Sequence, residues 1–239
     1  DMAGTNAYDK STSFSTGTLS GTTLPTRTAG KIGQALSFDG RTSYVYLGNP
    51  TALKVNTVSV AVWVKMPSNI ATGYIYRART GIEFYTLNTG KFGWALFNGT
   101  TTIGTTSTLA TYNDNKWHHA VGTFDGTTMK LYIDGVQSDS KAFSGNISYG
   151  TGFALGRDGD NNGTYFRGSI DDVRIYNRAL SATEVKQLYN LGASKTNAST
   201  NARAKSGLVG LWSFNNKDMA GTNAYDKSTS FATGTLSGT

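Results

Sequence analysis

The first 22 residues, DMAGTNAYDKSTSFSTGTLSGT (Asp1–Thr22), return as DMAGTNAYDKSTSFATGTLSGT at Asp218–Thr239, with Ser15 against Ala232 the only difference. The copies stand 217 positions apart, so any fold must use a unit of that length and place both copies. A unit of this size suits one domain, and all-β sandwiches commonly fill one of such length. The 29 glycines, 3 prolines and 12% aromatic content fit short strands joined by many turns.

The clearest strand is VSVAVWVKM: Val58, Val60, Val62 and Val64 fall on one face, and Ser59, Ala61, Trp63 and Lys65 on the other. QALSF, YVYLG, IEFYTL, FGWALFN, KWHHAVGTF, MKLYIDG, GFALG and GSIDDVRIY continue the pattern, separated by Gly, Asn and Asp clusters. FDGTTMKLYIDGVQ sets a strand between two Asp-Gly turns, which predicts consecutive antiparallel hairpins. The expected fold is all-β, a two-sheet antiparallel jelly-roll sandwich. One short helix joins it near the C-terminal end, in LSATEVKQLYNLG. There Ser181 and Glu184 make a capping box, Val185, Leu188 and Tyr189 an apolar stripe, and Gly192 the stop.

Several chemistries are excluded at once. No cysteine is present, so disulfides, thiol catalysis and thiolate metal sites are out. No run of 18 apolar residues exists to span a membrane. The net charge of +7 comes from scattered bases without a Lys/Arg run, which argues against nucleic acid as a partner. His118 and His119 are the only histidines; as strand neighbours they point to opposite faces and cannot form a dyad. No Gly-x-Ser-x-Gly elbow, P-loop or HExxH occurs.

GLVGLWSF, AYDKST, GKIGQALSFDG, VSVAVWVK, KWHHAVGTFDGTTMKLYIDG and GSIDDVRIYNRALSATEVKQLY together resemble the laminin-G-like, concanavalin A-like jelly-roll domains of bacterial secreted and surface proteins. The resemblance covers Lys31 to Leu191 and the strand at Gly207. It implies a sandwich but no single function, since the fold hosts glucanases, lectins, calcium-dependent modules and spacers. Glucanases of this kind carry paired glutamates on one strand. Glu83 and Glu184 are the only glutamates here and lie far apart in sequence, so the chain is expected not to be an enzyme. In similar domains acids near the first and last strands often hold a structural calcium ion. That implies Asp9, Asp39, Gly40, Asp171 and Asp172, with Asp226 as the repeat copy of Asp9. DGDNNG (Asp158–Gly163) matches half an EF-hand loop but has Ser169 where the bidentate Glu belongs, and reads as a polar hairpin tip. For a glycan, Tyr74, Arg77, Tyr85, Trp94 and Asn98 are the candidates, with Tyr76 and Tyr165 as further rings and Arg79 and Asn88 as further polar groups. Rings stack on sugars while amides and charges take hydroxyls.

The repeat then sets the domain plan: residues 1–192 as a jelly roll lacking its first strand, 193–206 as a polar linker, and 207–239 as the first strand and opening of a next unit. An empty strand slot exposes unpaired backbone groups. It can be filled by the chain's own Gly207, Leu208, Val209, Leu211, Trp212 and Phe214, by the same segment of a neighbouring subunit, or by a preceding repeat. Folding back makes the two copies compete for one place, so the forward, head-to-tail arrangement is the expectation. The expected function is a non-catalytic extracellular or cell-surface repeat, bacterial in type, joined to identical neighbours as a fibre or stalk. The alternative is a carbohydrate-binding adhesion module, calcium-dependent or not, in which repetition gives avidity.

Overall fold

The computed structural model describes residues 5–13, 15–108, 111–158, 163–193, 206–212 and 214. Asp226 and residues 159–162 of DGDNNG therefore lie outside the described residues, as does most of the linker. In chain order the strands are β1 (Asn6–Ala7), β2 (Gly17–Ser20), β3 (Thr26–Ala29), β4 (Gln34–Asp39), β5 (Tyr44–Gly48) and β6 (Val58–Lys65). Then come β7 (Gly73–Ala78), β8 (Ile82–Thr86), β9 (Phe92–Phe97), β10 (Thr102–Thr106), β11 (Trp117–Phe124) and β12 (Thr128–Ile133). β13 (Val136–Ala142), β14 (Phe153–Leu155), β15 (Arg167–Tyr176), helix α1 (Ala182–Ala193) and β16 (Leu208–Trp212) complete the chain.

They form two antiparallel sheets, a jelly-roll sandwich with one short helix. The first has the order β1-β2-β5-β14-β7-β8-β9-β10, the second β13-β12-β11-β6-β15-β4-β3. The apolar sets of both sheets meet between them: Val60, Val62 and Val64 from β6 against Phe84 and Trp94 from β8 and β9, all without solvent exposure. Dispersion and burial of this many large side chains supply most of the driving force for folding.

Alternation along β6 holds, but its second face is also covered. Ala61 packs in a separate cluster with Val121, Tyr132, Tyr176, Leu180, Val185 and Leu188, so α1 roofs the outside of the second sheet. Trp63 stacks on Tyr189 of α1 at 5.7 Å between ring centroids. Gly192 closes the fit, since a Cβ there would stand 2.4 Å from the Trp63 ring. The capping box forms as expected. Glu184 accepts from the Ser181 amide (2.9 Å) and hydroxyl, and the Glu184 amide reaches back to Ser181 Oγ.

The segment 207–214 corrects the head-to-tail expectation. β16 pairs antiparallel with β15 of its own chain, Val173 opposite Trp212 and Ile175 opposite Gly210. The reason lies in β15, whose first half pairs with β4 (Arg167 opposite Asp39 through Ile170 opposite Leu36). β4 pairs no further than Ile170, so the same edge of β15 beside Val173–Tyr176 is left to another strand. β16 fills it, in line with β4. Trp212 and Phe214 drop into the core at 0% and 2% exposure. The fit thus satisfies backbone groups and buries two large rings without a neighbouring subunit.

Candidate functional site

The outer face of the first sheet carries what the second sheet hides. Registers place one row across it: Thr18, Tyr46, Ala154, Arg77, Glu83, Ala95 and Gly104. A second row runs Tyr74, Tyr85, Gly93 and Thr106. Strand alternation in β7 to β9 sends Phe84, Trp94 and Leu96 inward and these residues outward. Tyr74 and Tyr85 meet edge to face, with centroids 6.1 Å apart. The Tyr85 ring lies across the backbone of Gly93, where a Cβ would come within 2.2 Å of it. Glycine is thus what lets the ring lie down on the sheet. Beyond the ring the next positions are Ala95, itself buried, and Gly104, so the residues under and around it are small.

Arg77 organises the charges. Its guanidinium stands 4.5 Å from the Tyr74 ring centroid and pairs with Glu83 at 3.2 Å and Asp158 at 2.8 Å. Burial raises the Glu83 carboxyl above its ordinary range, with Arg77 opposing the shift. Burial, and then the Glu83 charge, raise the Tyr85 and Tyr74 hydroxyls as well, so both stay neutral donors at physiological pH. Arg157 continues the pattern, its guanidinium 3.6 Å over the Tyr44 ring. The arrangement offers two flat rings, hydroxyl donors and fixed carboxylate acceptors on one open surface. The two carboxylates that share Arg77 are ion-paired rather than set as an independent acid and base.

Three of the five glycan candidates, Tyr74, Arg77 and Tyr85, are brought together. Trp94 is corrected: it is fully buried, packed at 5.5 Å on Phe84, because its register faces it inward. Asn98 is corrected too. Its side-chain oxygen accepts from the Thr100 and Thr101 amides, so it builds the β9–β10 turn. Glu83 and Asp158 were not expected in this cluster. Asp158 approaches because β14 lies beside β7, a neighbour relation between residues 81 positions apart that no local pattern reveals.

The calcium set is dispersed. Asp9 accepts from the Ser11 and Ser15 amides, the Ser11 and Ser13 hydroxyls and, at 2.8 Å, the Leu211 amide. Asp39 accepts from the amides of Arg41, Thr42 and Ser43 around Gly40, at φ +73°, and these bonds hold its carboxyl far below the usual range. Asp171, at the β15 bulge, receives the Ile32 amide, and burial pushes its carboxyl up to about 8. Asp172 forms a two-point ion pair with Arg174. Among the described residues no group of three or more His, Cys, Asp or Glu could hold a metal ion. Three carboxylates saturated by hydrogen bonds or an ion pair, and one buried against the Ile32 amide, do not fit a calcium ion, which needs several free oxygen ligands converging on one point.

A family model described as the concanavalin A-like lectin/glucanases superfamily matches residues 39–186, more than half of the chain. The chain belongs to that superfamily. None of the curated proteins compared matches it in sequence. Among solved structures, superfamily-like architecture recurs in the binding domain of Paraclostridial Mosquitocidal Protein 1, at 16% identity and TM-score 0.60 over 78% of this chain. The chain spans about half (52%) of that binding domain. Domain 4 of an extracellular arabinanase from Geobacillus stearothermophilus, in complex with arabinotriose, is 23% identical with a TM-score of 0.58, covering 78% of this chain and 98% of that domain. The CBM40 of a Ruminococcus gnavus sialidase, bound to α2,3-sialyllactose, is 17% identical, with a TM-score of 0.53 over 65% of this chain and 96% of its own. These likenesses establish the shared fold. No described helix of this superfamily member is long and apolar enough to cross a membrane.

Proposed function

We propose that this is a non-catalytic glycan-binding module of an extracellular protein, binding neutral oligosaccharides on the outer face of the first sheet. The observation that carries the reading is the Tyr74–Tyr85 pair lying on that face beside Arg77 and Glu83, with Gly93 beneath the Tyr85 ring. Flat rings take the apolar faces of pyranose or furanose rings, and the fixed charges take hydroxyls. Neutral sugars are favoured over acidic ones because the Arg77 charge is already met by two carboxylates. That similar folds are described with arabinotriose and sialyllactose supports a glycan as the ligand class.

The test is titration with arabino- and gluco-oligosaccharides and with sialyllactose, each with and without EDTA. Binding of a neutral oligosaccharide, lost at least about tenfold in Tyr85→Ala and insensitive to EDTA, is expected. Absence of binding by every neutral sugar, or binding unaffected by Tyr85→Ala, overturns it. A loss on EDTA alone would bring calcium back into the account. The 22-residue repeat supports a second element, multivalent presentation of such modules in tandem, in which avidity rather than single-site affinity sets retention.

A further inference from the structure

The segment held by β16 has a second claimant within the same chain. Asp9 ties the opening segment to β16: its carboxylate takes the Leu211 amide at 2.8 Å, the Lys10 amide donates to the Leu211 carbonyl at 2.9 Å, and the Ser13 hydroxyl donates to the Val209 carbonyl. From there β1 and β2 pair with each other, and β2 joins β5, Thr18 opposite Tyr46. Every residue that the opening segment gives to this latch recurs 217 positions on: Asp226, Lys227, Ser228 and Ser230 match Asp9, Lys10, Ser11 and Ser13, and Thr235 matches Thr18. The only difference is Ala232 for Ser15. Ser15 serves the latch through its backbone amide, 2.8 Å from the Asp9 carboxylate, which alanine keeps. Among the described residues its hydroxyl makes one long contact, 3.3 Å to Ser13, which alanine gives up.

We propose that the place held by residues 5–20 is a docking site for residues 218–239 of the same chain, so that the two copies exchange on β16. Chain connectivity favours the second copy's approach. Asp226 follows Leu211 by 15 residues, whereas Asp9 is 202 residues from it, and the shorter loop closes at lower entropic cost. Whichever copy docks, the other is released, so the same sandwich is completed in two connectivities. This rests on the latch and the repeat and is independent of glycan binding.

Two experiments on the full chain test it. In the first, Asp9→Ala and Asp226→Ala each leave the melting temperature within about 2 °C, because the other copy serves. The double variant falls by about 5 °C or more. Asp9→Ala falling as far as the double variant, or a double variant that does not fall, overturns the proposal. In the second, cysteine pairs are placed in a chain that has no other and oxidised with glutathione disulfide. Thr18→Cys with Tyr46→Cys, and Thr235→Cys with Tyr46→Cys, both give intramolecular bridges on non-reducing gels. A bridge in the first pair alone overturns the exchange, and a disulfide-linked dimer from the second pair overturns docking within one chain.

Discussion

The two sheets present outer faces of opposite character. On the second sheet, α1 covers Ala61, Trp63, Val121 and Tyr176, and the face becomes a second apolar core. On the first, no helix among the described residues lies over the sheet; Tyr46 stays 41% exposed, and Tyr74 and Tyr85 on the same face are half-buried. Both faces are rich in rings, so composition does not separate them. What separates them is whether the rings have an intramolecular partner. The roofed rings are sealed inside the fold, and the open rings are held in place by glycine, arginine and carboxylates with part of their surface still exposed.

The sharpest contrast is between Trp63 and Tyr85, each on an outer face. Trp63→Ala removes a ring at 1% exposure that touches Tyr189, His119 and Gly192. It is expected to cost about 3–5 kcal/mol, read from urea unfolding. A loss below about 1 kcal/mol would mean that α1 does not seal this face.

The adjacent histidines sharpen the contrast electrostatically. His119 lies under the roof against both Trp63 and Tyr189, and burial lowers its pKa to about 4. His118 points the other way and bridges Asp134 at 2.8 Å and Asp114 at 3.1 Å. Its burial is outweighed by those carboxylates, and its pKa rises. The signs follow from linkage. A histidine held neutral in the fold contributes stability above its unfolded pKa near 6.5, lost as pH falls toward the folded value. A histidine with a raised pKa contributes fully below 6.5 and loses its contribution as pH rises through its folded value. Relative to His119→Gln, the parent protein is therefore expected to lose about 2 kcal/mol between pH 6.5 and pH 5. The difference is the right quantity, because Asp171, with its raised carboxyl, works in the opposite direction in both proteins. Relative to His118→Asn, the parent should lose stability only above pH 6.5. Parallel curves for parent and His119→Gln would show that the roof admits water.

Much of this was legible in the sequence, for identifiable reasons. Local chemistry reported itself. The period of two in β6, the Asp-Gly turns and the Ser181–Glu184 box are short-range patterns, and each forms. The opposed histidines follow from strand geometry alone. Long-range pairing did not report itself. Trp94 and Tyr85 stand on neighbouring strands with similar surroundings in sequence, and only their registers send one inward and the other out. Asp158 reaches Arg77 because β14 inserts beside β7, a topological fact. The direction taken by β16 turned on where β4 stops pairing with β15, at Ile170, which leaves the rest of that edge to a strand of the same chain. The acids near the first and last strands read alike as ligands, yet the structure gives each a different backbone or side-chain task.

Tyr85 is the smallest effect in stability and the most telling. Its ring is half-buried, rests on Gly93 and touches Tyr74, but no element packs over it among the described residues. Tyr85→Ala removes one edge-to-face contact and part of a ring's burial, with water able to enter the space, so the expected cost is below about 1 kcal/mol. The same substitution is expected to cost far more in oligosaccharide affinity, and that mismatch is what distinguishes a ring kept for a ligand from one kept for the fold. If instead Tyr85→Ala unfolds the protein as readily as Trp63→Ala does, the two faces are energetically alike and the open one is only a thinly covered core.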